Sequence, residues 1–338
     1  MKKTRARFFT TVAWIAATIA SVLSTSPARA EVSEVRLAQQ FGINYLPLTI
    51  MRTEKLVEKH AAALGLGQLK VTWRQFGAGN VMNEALFADQ LDFASGGVGP
   101  LLTIWDKTKG IFDVHGVAAL GSMPFYLNTS NPDVRTVTDF TDRDKVALPA
   151  VEVSIQAVVL QMAAAKAFGI ENYRKLDRLT VAMKHPDAMA ALLSGTEVTA
   201  HFGNSPFQEQ ELQDKKIHRV LSSYEVLGEP GTLNSVYTTK KFHDNNPKTY
   251  QAVLNALKEA VEFINRDKAR AAKIYVEDEK SKLTPEFVQK ILEDPDFIVT
   301  TEPQGIMKYA EFMRAVKKIK NAPKSWKDVY FPEIYKSK

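Results

Sequence analysis

The chain has 338 residues, no cysteine and a formal charge of +6. Without cysteine there are no disulfides, thiolate metal sites or thiol nucleophiles, and a chain of this length buries enough surface to fold without them. Residues 1–30 hold five basic residues and no acidic one, which leaves 39 basic against 38 acidic in the remainder; that near-neutral balance gives no warrant for a nucleic-acid or membrane partner.

Lys2, Lys3, Arg5 and Arg7 precede an apolar run over 8–23, and Ala28-Arg29-Ala30 supplies small residues at cleavage spacing. Residues 1–30 therefore read as a cleaved secretory signal peptide. The run is 16 residues long with Thr10, Thr11, Thr18 and Ser21 inside it, short and polar for a membrane span, and an uncleaved anchor is the alternative.

The mature chain opens on a strand over 32–39, where Val35 and Leu37 alternate with Glu34 and Arg36. A loop from Phe41 to Pro47 leads into one helix reaching about residue 64, ended by Gly65 and Gly67. A strand over 69–76, a helix opened by Gly77-Ala78-Gly79-Asn80 and a strand over 91–94 follow. Ser95-Gly96-Gly97-Val98-Gly99 then forms a turn, with the next helix opening at Pro100. Such a turn leaves first-turn N–H groups free for a small anion or polar group; a plain strand-to-helix turn accounts for it equally well. A strand over 113–120 closes this block.

A second block repeats the alternation. Strands are expected over 145–148, 179–183, 198–202 and 217–221, with Ser154 as N-cap of a helix to Phe168. His185-Pro186-Asp187 starts another helix, and Gly203-Asn204-Ser205-Pro206 opens one more. Met82, Ala85 and Leu86 before the first glycine turn are echoed by Ala188, Ala191 and Leu192 before the second. After Glu229-Pro230-Gly231 come a strand over 233–238 and a long helix with Tyr250, Val253, Leu254, Leu257, Val261 and Ile264 on one face. Helices near 269–275, 285–292 and 304–320 complete the chain.

Strand–helix alternation implies an α/β fold with mainly parallel sheets. The expected organisation is residues 31–122 plus 230–338 as one lobe and 123–229 as the other. Two hinge crossings would join them around a cleft, and ligands in such sheets sit at the carboxyl ends of strands.

Catalytic sets are absent from the sequence. There is no Gly-x-Ser-x-Gly, no phosphate-binding Gly-x-x-x-x-Gly-Lys-Ser/Thr and no His-Glu-x-x-His. The six histidines show no metal-ligand spacing. His201 alone falls at a strand end facing the expected cleft, where a ligand contact and a structural role both fit.

The segments FGAGNVMNEALFADQLDFASGGVGP at 76–100, VALPAVEVSIQAVVLQMAA at 146–164 and HPDAMAALLSGTEVTAHFGNSPF at 185–207 resemble, in order and spacing, the periplasmic substrate-binding proteins of the nitrate, sulfonate and taurine class of ABC importers. The resemblance implies a periplasmic-binding-protein-like bilobal fold and a periplasmic monomer without catalysis, cofactor or metal. It further implies capture of a small anionic or polar solute and its delivery to an inner-membrane permease with a cytoplasmic ATPase. Carried over by position, the pocket draws on Phe41, Asn44 and Tyr45, on Ser95, Gly96, Gly97 and Val98, and on Val153, Ser154 and Gln156. His201, Phe202 and Asn204 would close it, with Tyr45, Phe202 or Val98 packing the solute's carbon part. Family members often carry Pro-Pro-Asp where this chain has His185-Pro186-Asp187. The alternative is a carrier of a thiamine-pyrimidine precursor, or an enzyme of the same fold that makes one. Those enzymes rely on a cysteine-rich motif that this sequence lacks.

Overall fold

A computed structural model describes residues 30–336; the signal peptide expected over 1–30 lies, apart from its last residue, outside them. Val32–Lys338 forms one compact unit. No helix among the described residues is long and apolar enough to cross a membrane.

The strands are β1 (Glu34–Gln39), β2 (Lys70–Gln75), β3 (Ala94–Gly97), β4 (Val114–Ser122), β5 (Tyr126–Thr129), β6 (Val146–Leu148), β7 (Thr180–Ala182), β8 (Ala200–Phe202), β9 (His218–Ser222) and β10 (Thr232–Thr239). β1 pairs in parallel with β2 and reaches the β3 segment through a Leu37–Phe93 bridge, while β3, β10 and β4 are hydrogen-bonded in that order. The first half is thus ordered β2-β1-β3-β10-β4. The second sheet runs β7-β6-β8-β5-β9. The two orders are the same, with β1 to β4 matching β6 to β9.

In each sheet four of the five strands run in one direction, as expected of mainly parallel sheets, and one strand runs against them. β10 runs antiparallel to β3 and β4, and β5 runs antiparallel to β8 and β9. These two strands arrive from the other sheet. Tyr126, which begins β5, lies beside Ser222, which ends β9; Thr232, which begins β10, lies beside Ser122, which ends β4. A strand entering a sheet at its neighbours' carboxyl edge must run against them. The chain passes between sheets at residues 123–125 and returns after the helix Ser223–Leu227.

Helices cover the faces because their apolar residues recur at helical spacing. In Pro247–Arg266 the residues Tyr250, Val253, Leu254, Leu257, Val261 and Ile264 are all buried, each contributing about 1.5–3 kcal/mol by leaving water. Proline stands at the start of this helix, where its missing N–H costs nothing. Ile155–Phe168 is buried more completely. Every residue from Ile155 to Ala164 is buried, so this helix is enclosed on all faces.

Two boundaries move. The single helix expected to residue 64 is split into Leu46–Thr53 and Leu56–Ala63, with Lys55 between them at φ 52°. No glycine or proline marks that break. The strand expected over 91–94 lies at Ala94–Gly97, and the next helix starts at Val98 rather than Pro100. The glycines are drawn into the strand because β10 pairs with them, Gly96 opposite Ser235 and Gly97 opposite Asn234. Pro100 is then the third helical residue, still within the turn whose N–H groups lack partners.

Candidate functional site

Strand ends from both sheets meet at one cavity of about 20 Å³, room for about one water molecule. From the first sheet come Gln40, Phe41 and Tyr45 after β1, Gly97 at the end of β3, and Leu233 and Asn234 at the start of β10. From the second come Pro149 after β6, Ser154, Ile155 and Gln156 at a helix start, His185 at another, and Asn204 after β8. A larger hollow of about 340 Å³ lies among Tyr126, Ser205, Leu212, Phe287 and Phe297 and shares the loop after β8 with this cavity.

The two helix starts touch. A Cβ placed on Gly97 would sit 2.8 Å from the Ile155 Cβ, and one on Gly99 would sit 3.4 Å from the Val153 carbonyl oxygen. Glycine at 97 is what lets the first-turn amides of Val98–Thr108 and Ile155–Phe168 approach a common space. Ser154 caps the second helix as expected: its hydroxyl accepts from the Ala157 N–H at 3.2 Å and donates to the Ala150 carbonyl at 2.8 Å. Both of its hydrogen-bonding roles are thereby used within residues 150–157.

Gly42 carries the other close approach. It adopts φ 124°, and a Cβ there would lie 2.9 Å from the Ser205 carbonyl oxygen. The loop after β1 is latched to the loop after β8. The Ile43 N–H donates to the Ser205 carbonyl at 2.9 Å, and Asn204 Nδ2 donates to Asn44 Oδ1 at 2.9 Å. From there Asn44 Nδ2 donates to Asn234 Oδ1 at 2.5 Å, and Asn234 Nδ2 donates to the Tyr45 hydroxyl at 2.7 Å. Gln40 Nε2 donates to the same hydroxyl at 2.8 Å. Burial first, and Tyr237 second, hold the Tyr45 pKa well above the ordinary phenol value; Tyr45 remains a neutral phenol.

The expected site residues separate into two shells. Phe41, Tyr45, Gly97, Ser154, Gln156 and Asn204 line the cavity. Asn44 stands behind them in the amide chain. Ser95 and Gly96 are buried within β3 opposite Val236 and Ser235, and Val98 is buried at the helix start. Val153 is exposed at the rim. Phe202 is fully buried against Phe125, with ring centres 5.3 Å apart. His201 does not face the cavity. Its Nδ1 lies 2.5 Å from Glu211 Oε1 and its Nε2 lies 2.9 Å from His185 Nδ1.

The histidine that reaches the cavity is His185, whose Nε2 is 3.3 Å from Gln156 Nε2. Burial first, and the neighbouring His201 second, hold its pKa well below the ordinary imidazole value. Sequence reasoning missed His185, Gln40 and Asn234 as lining residues. The only advance signal was the histidine where Pro-Pro-Asp was expected.

Residues 28–276 match the NMT1-like family. No curated protein sequence matches the chain. Solved structures similar to it include the alkanesulfonate-binding protein SsuA from Xanthomonas axonopodis pv. citri bound to MOPS, at TM-score 0.68 and 20% identity over 90% of this chain and 98% of that one. The periplasmic aliphatic sulphonate binding protein SsuA from Escherichia coli has TM-score 0.63 and 17% identity, over 89% of this chain and 98% of that one. The periplasmic nitrate-binding protein NrtA from Synechocystis PCC 6803 has TM-score 0.66 and 16% identity, over 91% of this chain and 88% of that one. At such identities the likeness is one of fold. With the match spanning most of its length, this chain belongs to the NMT1-like family and has the fold of the periplasmic binding proteins.

Proposed function

We propose that this protein is the extracytoplasmic solute-binding component of an ABC importer. It holds one small polar or anionic solute between its lobes and delivers it to a membrane permease. The observation that carries this reading is the meeting of two helix starts, at Gly97 and at Ser154, over one cavity at the strand ends of both sheets. The similar structures bear the names of sulfonate- and nitrate-binding proteins, which supports binding rather than catalysis. The lobes are read as 31–122 with 230–338, and 123–229, and residues 1–30 as a cleaved export signal.

Magnitudes favour a closed, dry site. One helix start gives about 0.3–1 kcal/mol to a charge, or about 2 kcal/mol when partly buried, whereas micromolar binding requires about −8.2 kcal/mol. Three or four hydrogen bonds at about 1.5–3 kcal/mol each supply the gross energy, and exclusion of water strengthens each of them. A cavity of about 20 Å³ holds no alkyl sulfonate, so capture of one requires the lobes to part and reclose around it.

A thermal-shift and calorimetric screen of the purified protein over alkyl sulfonates, taurine, nitrate, bicarbonate and pyrimidines tests the reading. At least one class should raise Tm in a concentration-dependent way. A screen without any stabilising solute, together with an unchanged scattering radius throughout, would overturn it.

A further inference from the structure

The wall contributed by the second sheet is backed by a buried relay that the binding role alone does not call for. Glu211 Oε2 accepts from Asn128 Nδ2 at 2.9 Å, and Glu211 Oε1 lies 2.5 Å from His201 Nδ1. His201 Nε2 lies 2.9 Å from His185 Nδ1, and His185 Nε2 lies 3.3 Å from Gln156 Nε2. Glu211 and His201 are wholly buried, and His185 nearly so.

A neutral imidazole has one donor and one acceptor nitrogen. When Glu211 accepts both of its bonds and the His201 ring is neutral, His201 donates from Nδ1 and accepts at Nε2. His185 must then donate from Nδ1, and its Nε2 accepts from the Gln156 amide N–H, which leaves Gln156 Oε1 as the acceptor not used within the relay. Each link fixes the next, and the orientation set at Glu211 emerges at the cavity. Phe207 stacks on the other side of the His185 ring, with centres 6.0 Å apart, and brings no charge to it.

A second acceptor stands nearby. Asn204 lines the same cavity, and its Oδ1 is buried without a hydrogen-bond partner while its Nδ2 is held by Asn44. None of the described residues lining this cavity is Lys or Arg. The opposite polarity comes from the helix-start amides at Gly97 and Ile155, and from the Tyr45 hydroxyl. That hydroxyl accepts from Gln40 and Asn234 and so keeps its own hydrogen to give.

We infer that the Glu211–His201–His185 relay fixes the Gln156 amide with its Oε1 as a hydrogen-bond acceptor at the cavity, and that with Asn204 it selects a solute carrying an amine, amide or ring N–H at that end. This rests on the binding reading above and names its solute class. A fully ionised oxyanion filling the cavity would set its oxygens against two acceptors. A solute with an oxygen at one end and an N–H at the other satisfies both walls. Glu211, His201 and His185 are positioning residues, whereas Gln156 and Asn204 make the contact.

Long-range proton–nitrogen NMR of the histidine rings in the full chain at neutral pH tests the relay without any ligand. His185 and His201 should both be protonated at Nδ1 and bare at Nε2, the minority form of free histidine. A His185 protonated at Nε2, or at both nitrogens, would overturn the inference. Glu211→Gln frees the first link and should move His185 toward its Nε2–H form; an unchanged ring spectrum would count against the relay, and if this variant does not fold the wild-type spectrum decides. Calorimetry with two isosteric pairs, taurine against propane-1-sulfonate and acetamide against acetate, tests the selection. The N–H member of a pair that binds should do so at least about tenfold more tightly. Equal or tighter binding of the member without N–H sinks the inference and leaves the binding function standing. Should neither pair bind, the ligand found by the broader solute screen decides the selection: one that carries an N–H supports it and one without an N–H overturns it.

Discussion

The two sheets share one strand order yet present unlike walls to the space between them. On the first, Gln40, Asn44, Tyr45 and Asn234 form a chain of amides ending on a phenol hydroxyl. On the second, a carboxylate acts through two imidazoles. Topology is repeated because it depends on apolar periodicity and turn chemistry, which tolerate many sequences. Wall chemistry is not repeated, because a few side chains set it and nothing in the sheet requires them to agree.

The comparison can be broken at its glycines, with the largest expected effect first. Gly97 ends β3, and Gly203 follows the end of the matching β8. Gly97→Ala forces a Cβ to 2.8 Å from the Ile155 Cβ, against a β-branched side chain at a helix start. It should oppose lobe closure by about 1–3 kcal/mol, read as a larger radius of gyration in scattering. Gly203→Ala meets the His201 ring at 3.2 Å; the ring must give by only a few tenths of an ångström, and less than about 1 kcal/mol is expected. Equal effects at the two positions would show that the two starts are mechanically alike.

Acid sharpens the difference between the walls. The His185 pKa is lowered in the folded state, so below the ordinary imidazole pKa the unfolded chain binds more protons than the native one. The stability tied to neutral His185 is complete above that ordinary value. It falls as pH drops from there toward the folded pKa, by up to about 1.4 kcal/mol per pH unit. Burial lowers His115 as well, so the measurement is the slope of urea-unfolding free energy against pH in wild type minus that in His185→Asn. A variant with an undiminished slope would remove His185 from the account.

The smallest effect lies at the helix caps. Ser154 caps Ile155–Phe168 with its side chain, whereas Gly97 gives Val98–Thr108 no side-chain cap. Ser154→Ala should cost about 1 kcal/mol of stability in denaturant unfolding. Because its hydroxyl is already engaged at Ala150 and Ala157, solute affinity should change only as far as the helix start shifts.

What could be read from sequence was what short-range pattern encodes. The alternation at Val35 and Leu37, the apolar face from Tyr250 to Ile264 and the cap at Ser154 each depend on residues within a turn or two, and each stands in the structure. The glycine stretch was read as a turn because no local signal reports that β10 pairs with it from about 140 residues away. His185, Gln40 and Asn234 escaped for the same reason. Asn44 and Asn234 are 190 positions apart, and the relay joins three separate elements. A histidine near a helix start looks the same in sequence whether or not a buried carboxylate stands behind it.

The placement of β10 between β3 and β4 has a consequence for how the molecule is made. As the chain emerges, β3 and β4 have no direct partner in each other, and the gap between them waits for residues 232–239. The second sheet needs nothing beyond β9, so it can be finished while the first still shows two raw edges. Assembly order therefore inverts sequence order: the segment synthesised first is completed last, and its unpaired backbone is the molecule's point of exposure to misassociation.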